Sequence, residues 1–177
     1  MSLNGNSSMS IVETNRLILR KLTIDDAVFI LNLLNQPSFI QFIGDRCVRT
    51  LDDARDYILK RLVNSYERFG FGLYLTLLKE GDVPIGICGL VKRETLKDVD
   101  VGFAFLPQYW SKGYAFESAS AVLAYARNTL GIKRIAGITT ADNHGSIRVL
   151  EKMGLKFEKM VRLSEDDIEL KLFISEA

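Results

Sequence analysis

Apolar residues at helical spacing occupy two segments in the first part of the chain. Thr23 can cap a helix that runs to about Leu34, and we expect Pro37 to end it. A second helix is predicted from about Thr50 to Phe69. Its apolar stripe consists of Ile58, Leu62, Tyr66 and Phe69. This stripe predicts core packing, not a cofactor site.

The spacing then changes to that of β-strands. Strands are predicted over residues 14–22, 71–78, 85–91, 99–106, 134–139, 155–163 and 168–174. Two helices lie between the later strands, one from Gly113 to Leu130 and one from about Gly145 to Met153. The predicted order is therefore β-α-α-β-β-β-α-β-α-β-β.

One parallel crossover is required by the strand, helix, strand unit around residues 113–130, whereas the neighbouring hairpins are antiparallel. We therefore expect an α/β fold with a mixed sheet (α+β mixed), built as a single domain over residues 11–177. Residues 1–10 are small and polar, without periodicity, and are predicted to be a flexible leader.

Charge and cysteine content exclude several classes of protein. The chain has 177 residues and a net charge of +1, which argues against a nucleic-acid partner. Cys47 and Cys88 are too few for a disulfide framework and favour a reducing, cytoplasmic setting. No apolar run reaches membrane-spanning length, and no cluster has metal-ligand spacing. We expect no membrane partner and no metal.

A glycine loop from Trp110 to Ala115 (WSKGYA) joins a predicted strand to a predicted helix. A glycine at such a junction lets the backbone approach a ligand, and the free N–H groups at the helix start attract phosphate. The alternative is that Gly113 only eases a tight turn. A second segment, from Asn143 to Leu155 (NHGSIRVLEKMGL), repeats the pattern of polar start, short helix and glycine stop.

These two segments together resemble the GNAT N-acetyltransferases. The run from Trp110 to Ala115 is similar to their pyrophosphate loop, Gln/Arg-x-x-Gly-x-Gly/Ala. The run from Asn143 to Leu155 is similar to their helix Asn-x-x-Ser-x-x-x-Leu-Glu-Lys-x-Gly-Phe. Residues 107–115 (PQYWSKGYA) resemble Pro-x-Tyr-Trp-Gly-Lys-Gly-Tyr-Ala of the ribosomal-protein (Rim-type) branch, and residues 14–20 resemble that branch's opening strand.

The resemblance implies acetyl-CoA as co-substrate and a set of cofactor-binding residues. Backbone N–H groups of the loop would hold the pyrophosphate, and the end of the preceding strand would bind the pantetheine arm. Trp110 stands where many relatives carry Gln or Arg, and Asn143 is either a helix cap or a cofactor contact. The implied set is Phe105, Leu106, Trp110, Ser111, Lys112, Gly113, Tyr114, Ala115, Asn143 and Ser146.

The catalytic groups are less constrained. Many relatives protonate the leaving thiolate with a tyrosine where this chain has Leu150, so Ser146, another tyrosine or water must serve. Asp100 matches the Glu of a Glu-Ile-Gly-Tyr strand and is the first candidate for the base, with Glu94 as the second. The alternative for all three polar residues, Ser146, Asp100 and Glu94, is an ordinary solvated position.

The resemblance implies direct acetyl transfer to a primary amine, without an acyl-enzyme, in a monomer or homodimer. The Rim-type branch suggests a protein or peptide N-terminal α-amine. A polyamine or other small amine is the alternative, because acids at 94, 98, 100 and 165–167 could form a negative funnel. A non-catalytic acyl-CoA-binding sensor is the alternative of another class.

Overall fold

An eight-stranded mixed sheet organises the chain in the computed structural model, which describes residues 9–176. The strands are β1 (Ser10–Glu13), β2 (Leu17–Arg20), β3 (Leu73–Leu78), β4 (Val83–Val91), β5 (Val99–Phe105), β6 (Ile135–Thr140), β7 (Leu155–Val161) and β8 (Leu170–Ser175). Their spatial order is β1-β2-β3-β4-β5-β6-β8-β7. Only β5 and β6 pair in parallel, and the other neighbours are antiparallel.

Six α-helices accompany the sheet in the described part of the chain. They are α1 (Ala27–Leu34), α2 (Pro37–Phe42), α3 (Leu51–Tyr57), α4 (Asn64–Phe69), α5 (Tyr114–Asn128) and α6 (His144–Lys152). A π-helical segment, Ile58–Val63, joins α3 to α4, so that the predicted second helix is continuous but locally widened. The predicted fold class is confirmed, and so is the order of the later elements.

Two local predictions were wrong. Pro37 does not merely end a helix: α1 ends at Leu34, and Pro37 opens α2 at its first turn, where a missing N–H costs nothing. The strand predicted over residues 14–22 is shorter, β2 (Leu17–Arg20), and it forms a hairpin with β1 (Ser10–Glu13), which lies before the predicted bounds. Ser10, assigned to the leader, is already part of β1, and residues 1–8 of that leader lie outside the described residues.

The core consists of two main clusters on opposite faces of the sheet. Along β3, Leu75 and Leu77 pack with α1, α2 and α3, whereas Tyr74 packs with α5 and α6. This alternation is what a strand buried on both faces produces. Tyr66 of the predicted stripe ties α4 to the sheet, because its hydroxyl accepts from the Leu22 N–H and donates to the Leu73 carbonyl.

The parallel pairing of β5 with β6 is short. It comprises only two registered pairs, Val99 with Ile135 and Asp100 with Ala136. Beyond them the strands separate, and the β6-facing edge of β5 from residue 101 onward has no strand partner within residues 9–176. Ligands of α/β sheets bind at such divergences, outside the carboxyl ends of the strands. Among the residues described, no helix is long and apolar enough to cross a membrane.

Close packing of β3 against β4 generates a stability prediction at Gly89. A Cβ placed there would lie 2.0 Å from the Gly72 carbonyl oxygen, so the two strands would have to separate. We expect Gly89→Ala to lower the free energy of unfolding by about 3 kcal/mol or more, measured by urea denaturation. The control is Gly70→Ala, where φ is +77° and space is open, with an expected loss of about 1 kcal/mol. Equal losses in the two variants would contradict the packing argument.

Candidate active site

Two cavities of about 610 and 620 Å³ open where β5 and β6 diverge. We call the first the acceptor cavity; it lies along β5, the end of β6 and residues 163–170. We call the second the cofactor cavity; it lies between the glycine loop and the start of α6. Seven residues line both: three from α2 and its C-cap, Phe39, Phe42 and Ile43, and four from β5 and the start of α6, Phe103, Ala104, Asn143 and Ser146. The cavities therefore form one cleft with a junction at these side chains.

The glycine loop ends in the bare N-terminus of α5. Gly113 is the N-cap, in the left-handed region at φ +83°, and has no side chain to occupy the helix start. The first intrahelical bond runs from the Glu117 N–H to the Gly113 carbonyl at 3.0 Å. The N–H groups of residues 114–116 therefore have no intrahelical acceptor, and the helix dipole adds positive potential there. This geometry suits an anion such as a diphosphate.

Arg16, from the loop between β1 and β2, holds this glycine loop in place. Its Nη1 donates to the Lys112 carbonyl at 3.0 Å, its Nε donates to Glu117 Oε2 at 2.7 Å, and its guanidinium lies 4.4 Å from the centre of the Tyr114 ring. Thr14 also donates to Glu117, at 2.6 Å. No local pattern in the sequence marks this role, because the contacts join residues about a hundred positions apart.

Glu117 would otherwise oppose an anion, since its carboxylate lies in the first turn of α5. Partial burial acts to raise its pKa, but hydrogen bonds from Thr14 and Arg16 outweigh that effect, and the pKa lies below its ordinary value. The carboxylate is therefore ionised and paired. Arg16 neutralises it while fixing the loop backbone that follows Ser111, itself a non-glycine residue at φ +59°.

Two cationic side chains line the cofactor cavity, but Lys112, the lysine of the predicted cofactor-binding set, is not one of them. Arg148 and Lys152 of α6 face it, with Asp142 as the one acid among its lining residues. Lys112 does not line it; its ammonium group lies 5.7 Å from the centre of the Tyr109 ring. Leu106 is also outside, because its side chain is buried among α1, α2 and α3. The other predicted cofactor residues all line this cavity.

The end of β5 is accessible from the cleft, and Trp110 forms a hydrogen bond to one of its carbonyl groups. The indole Nε1–H donates to the Phe105 carbonyl at 2.9 Å, so this tryptophan has a structural function in shaping the loop. The edge of β5 nearer the junction keeps its unpaired backbone groups, because β6 has separated from it. Such an edge can bind an extended chain bearing amides.

Asn143 caps α6, as one of the two interpretations of this residue requires. Its Oδ1 accepts from the Ser146 N–H at 3.1 Å. Its amide nitrogen has no bond to the described residues, and the side chain lines both cavities.

Ser146 is half-buried at the junction, and its hydroxyl has no partner among residues 9–176. Leu150, one turn further, is buried and offers no proton.

Of the two candidate bases, Asp100 is the one that lines the cleft. It is 1% exposed and accepts from Arg93 Nε at 3.0 Å. Burial raises the pKa of this carboxyl above its ordinary value, while Arg93 acts in the opposite direction. Glu94, the second candidate, is exposed in the turn after β4 and lines neither cavity.

The predicted negative funnel is largely absent. Asp98 is paired with Arg134 at 3.0 Å, and Asp100 with Arg93. Of the six acids considered, only Asp166 and Asp167 line the acceptor cavity without an ion pair among the described residues. The same cavity contains Arg46 and Thr140, whose buried hydroxyl has no hydrogen-bond partner in the described chain. Neither residue carries a sequence signal that marks it.

Comparison with known proteins identifies the family of the chain. The family described as "Acetyltransferase (GNAT) domain" matches residues 16–156. YoaA of Bacillus subtilis, named as an uncharacterized N-acetyltransferase, is 30% identical over 154 residues, covering 86% of each chain.

Solved structures share the fold. An acetyltransferase from Agrobacterium tumefaciens superimposes with a TM-score of 0.80 at 21% identity, covering 100% of both chains. RimL, named as a ribosomal α-N-protein acetyltransferase and solved with coenzyme A, superimposes with a TM-score of 0.79 at 18% identity, covering 94% of this chain and 97% of its own. The chain therefore belongs to the GNAT acetyltransferase family and is an N-acetyltransferase.

Proposed function

We propose that the protein transfers an acetyl group directly from acetyl-CoA to the α-amine of a protein or peptide N-terminus, as in the Rim-type branch. One observation carries the proposal: the cofactor and acceptor cavities meet at Asn143 and Ser146. Reactants entering from opposite sides would meet there without an enzyme-bound acyl group. The motif at residues 107–115 and the neighbour RimL support the branch.

Enzymes with this fold use acetyl-CoA, and the residues of the cofactor cavity fit it. The free N–H groups of residues 114–116 would hold the diphosphate, with Arg148 and Lys152 adding positive charge. The unpaired edge of β5 would hold the pantetheine amides. Bound acetyl-CoA supplies an acetyl group activated as a thioester.

Residues in the cleft can carry out the two proton transfers of this reaction, protonation of the thiolate and deprotonation of the amine. The Ser146 hydroxyl, free of protein partners among those described, would donate a proton to the departing thiolate and recover one from solvent. Asp100 would act as the base only through water, because it lies three to four residues along β5 from the junction, about 10 to 13 Å.

The acceptor cavity has too little excess negative charge to select a polyamine, because its lining acids Asp100, Asp166 and Asp167 exceed Arg46 and Arg93 by one formal charge. A polycation would meet Arg46 and Arg93, while only Asp166 and Asp167 remain as unpaired acids in the described lining. An α-amine has a pKa near 8 and is partly neutral at physiological pH, so a relayed base suffices; a polyamine nitrogen near 10 needs a stronger one. Other small monoamines remain the second candidate class.

The test is a comparison of kcat/KM for acetyl transfer to short peptides with free N-termini and to spermidine. We expect the peptides to be preferred, and the same peptides with blocked N-termini to be inert. Assays at low and high salt separate charge attraction from specific binding. A strong, salt-sensitive preference for spermidine would overturn the α-amine, and absence of thiol release with every amine would overturn transfer itself.

The glycine loop predicts a specific loss of cofactor affinity in Gly113→Asp. A carboxylate at the start of α5 would add bulk and like charge against the diphosphate. We expect the Kd for coenzyme A, measured by calorimetry, to rise by about a hundredfold or more. Gly131→Asp is the matched control: Gly131 also has positive φ, at +70°, but it is exposed after α5 and lines neither cavity. Equal affinities for coenzyme A in the two variants would contradict the assignment of the glycine loop to the cofactor site.

The junction predicts that Ser146→Ala lowers kcat more than it raises the KM for acetyl-CoA. A proton donor acts mainly in the transition state, where such help is worth about a hundredfold. Pre-steady-state kinetics would establish that chemistry limits the rate. An unchanged kcat under that condition would assign the proton to water, and a change in KM alone would reduce Ser146 to a binding contact.

A further inference from the structure

Two arginines on one side of the acceptor cavity have donors that the protein does not use. Arg93 engages Asp100 through Nε alone, so its Nη1 and Nη2 donors have no acceptor among residues 9–176. Arg46 is exposed, lines the same cavity, and has no carboxylate within ion-pair distance in that part of the chain. The cavity therefore presents guanidinium donors that are available to a ligand.

Tyr57 joins these arginines in one locus. Its ring is half-buried and lines the cavity, and its hydroxyl makes no hydrogen bond to the described residues. Burial raises the pKa of this hydroxyl, while the positive charges of Arg46, Arg61 and Arg93 act in the opposite direction. Guanidinium groups beside a free hydroxyl donor form a site for a carboxylate, since each donor can bind an anionic oxygen. We call Arg46, Tyr57 and Arg93 the basic locus.

A purely structural role explains only part of the basic locus. Arg93 compensates the buried charge of Asp100, which would be costly if left alone. That task uses one donor of the guanidinium and does not involve Arg46. Neighbouring surface arginines are satisfied differently: Arg49 is paired with Asp45 and Arg55 with Asp52. Arg46 differs from both in lining the cavity without such a partner.

We propose that the acceptor substrate is an acidic one: a peptide whose carboxylate binds the basic locus while its N-terminal amine reaches the junction. This inference rests on the proposed function and specifies its substrate. Arg93 binds Asp100 near the start of β5, and the junction residues Phe103 and Ala104 follow three to four positions later, about 10 to 13 Å away. An extended peptide covers that distance in about three residues. The acidic side chain is therefore at position 3 or 4 of the substrate.

The experiment compares three peptide amides of eight residues with free N-termini. The acidic peptide is Ala-Ala-Asp-Asp-Ala-Ala-Ala-Ala, and the neutral one replaces both Asp by Asn. The shifted peptide, Ala-Ala-Asn-Asn-Ala-Ala-Asp-Asp, has the charge of the first but places it beyond the basic locus. We expect kcat/KM for the acidic peptide to exceed both others by about tenfold or more, the worth of one charge-assisted hydrogen bond.

Variants assign that preference to the basic locus. Arg46→Gln is expected to reduce the ratio of acidic to neutral peptide to less than about threefold, whereas Arg55→Gln removes the same charge outside the cavity and leaves it unchanged. Arg93→Lys keeps the charge beside Asp100 but loses the forked donors, and should also reduce the ratio. Equal rates for the acidic and neutral peptides, equal rates for the acidic and shifted peptides, or a preference that survives Arg46→Gln, would overturn the proposal.

Calorimetry separates this proposal from the proposed function. Binding of the three peptides to the protein saturated with coenzyme A requires no transfer, and we expect the same ranking of affinities. If no amine is acetylated but the ranking is observed, the basic locus stands and the transfer proposal falls. If peptides are acetylated without any ranking in rate or affinity, the transfer proposal stands and the basic locus falls.

Discussion

The separation of β5 from β6 after two paired residues is the constraint on which the site depends. Each strand is held on its other side, β5 by six pairs with β4 and β6 by five pairs with β8, so both remain ordered where they part. The unpaired edge of β5 would be costly if buried without partners. It lies instead along a cleft, where a ligand or water can satisfy it. At the same divergence, Ser146 of α6 and Ala104 of β5 line both cavities.

The network of Arg16 and Glu117 orders the glycine loop, which forms one wall of the cofactor cavity. An anion site at a helix start needs a loop whose amides already point at the ligand, because ordering the loop on binding would reduce affinity. Arg16 fixes the Lys112 carbonyl and the Tyr114 ring, and the paired Glu117 carboxylate fixes Arg16. The hairpin of β1 and β2, which contributes no cavity lining, thus contributes to the loop's geometry.

The sequence predicts well those features whose signals are local. Gly113 and Asn143 were identified because helix starts depend on residues within one turn, and the strands because their apolar alternation is internal to each strand. The start of α2 at Pro37 was missed, since a proline can follow one helix or open the next. The negative funnel, the alternative that would suit a polyamine, is only partly present, for another reason. The partner of Asp98 is Arg134, 36 positions away, and no local pattern reveals such a pairing.

Asp100 is buried beside Arg93, so one substitution at this position would have two effects at once. Its carboxylate compensates Arg93, so removing it leaves a guanidinium without its partner and frees that side chain to move within the acceptor cavity. Its raised pKa, caused by burial, also makes it a better proton acceptor than an exposed acid. Under the proposed function, an isosteric Asn at this position would therefore alter amine binding as well as proton transfer. The two effects separate by pH: loss of a base changes the pH dependence of kcat, whereas displacement of Arg93 changes the KM for the acceptor at every pH.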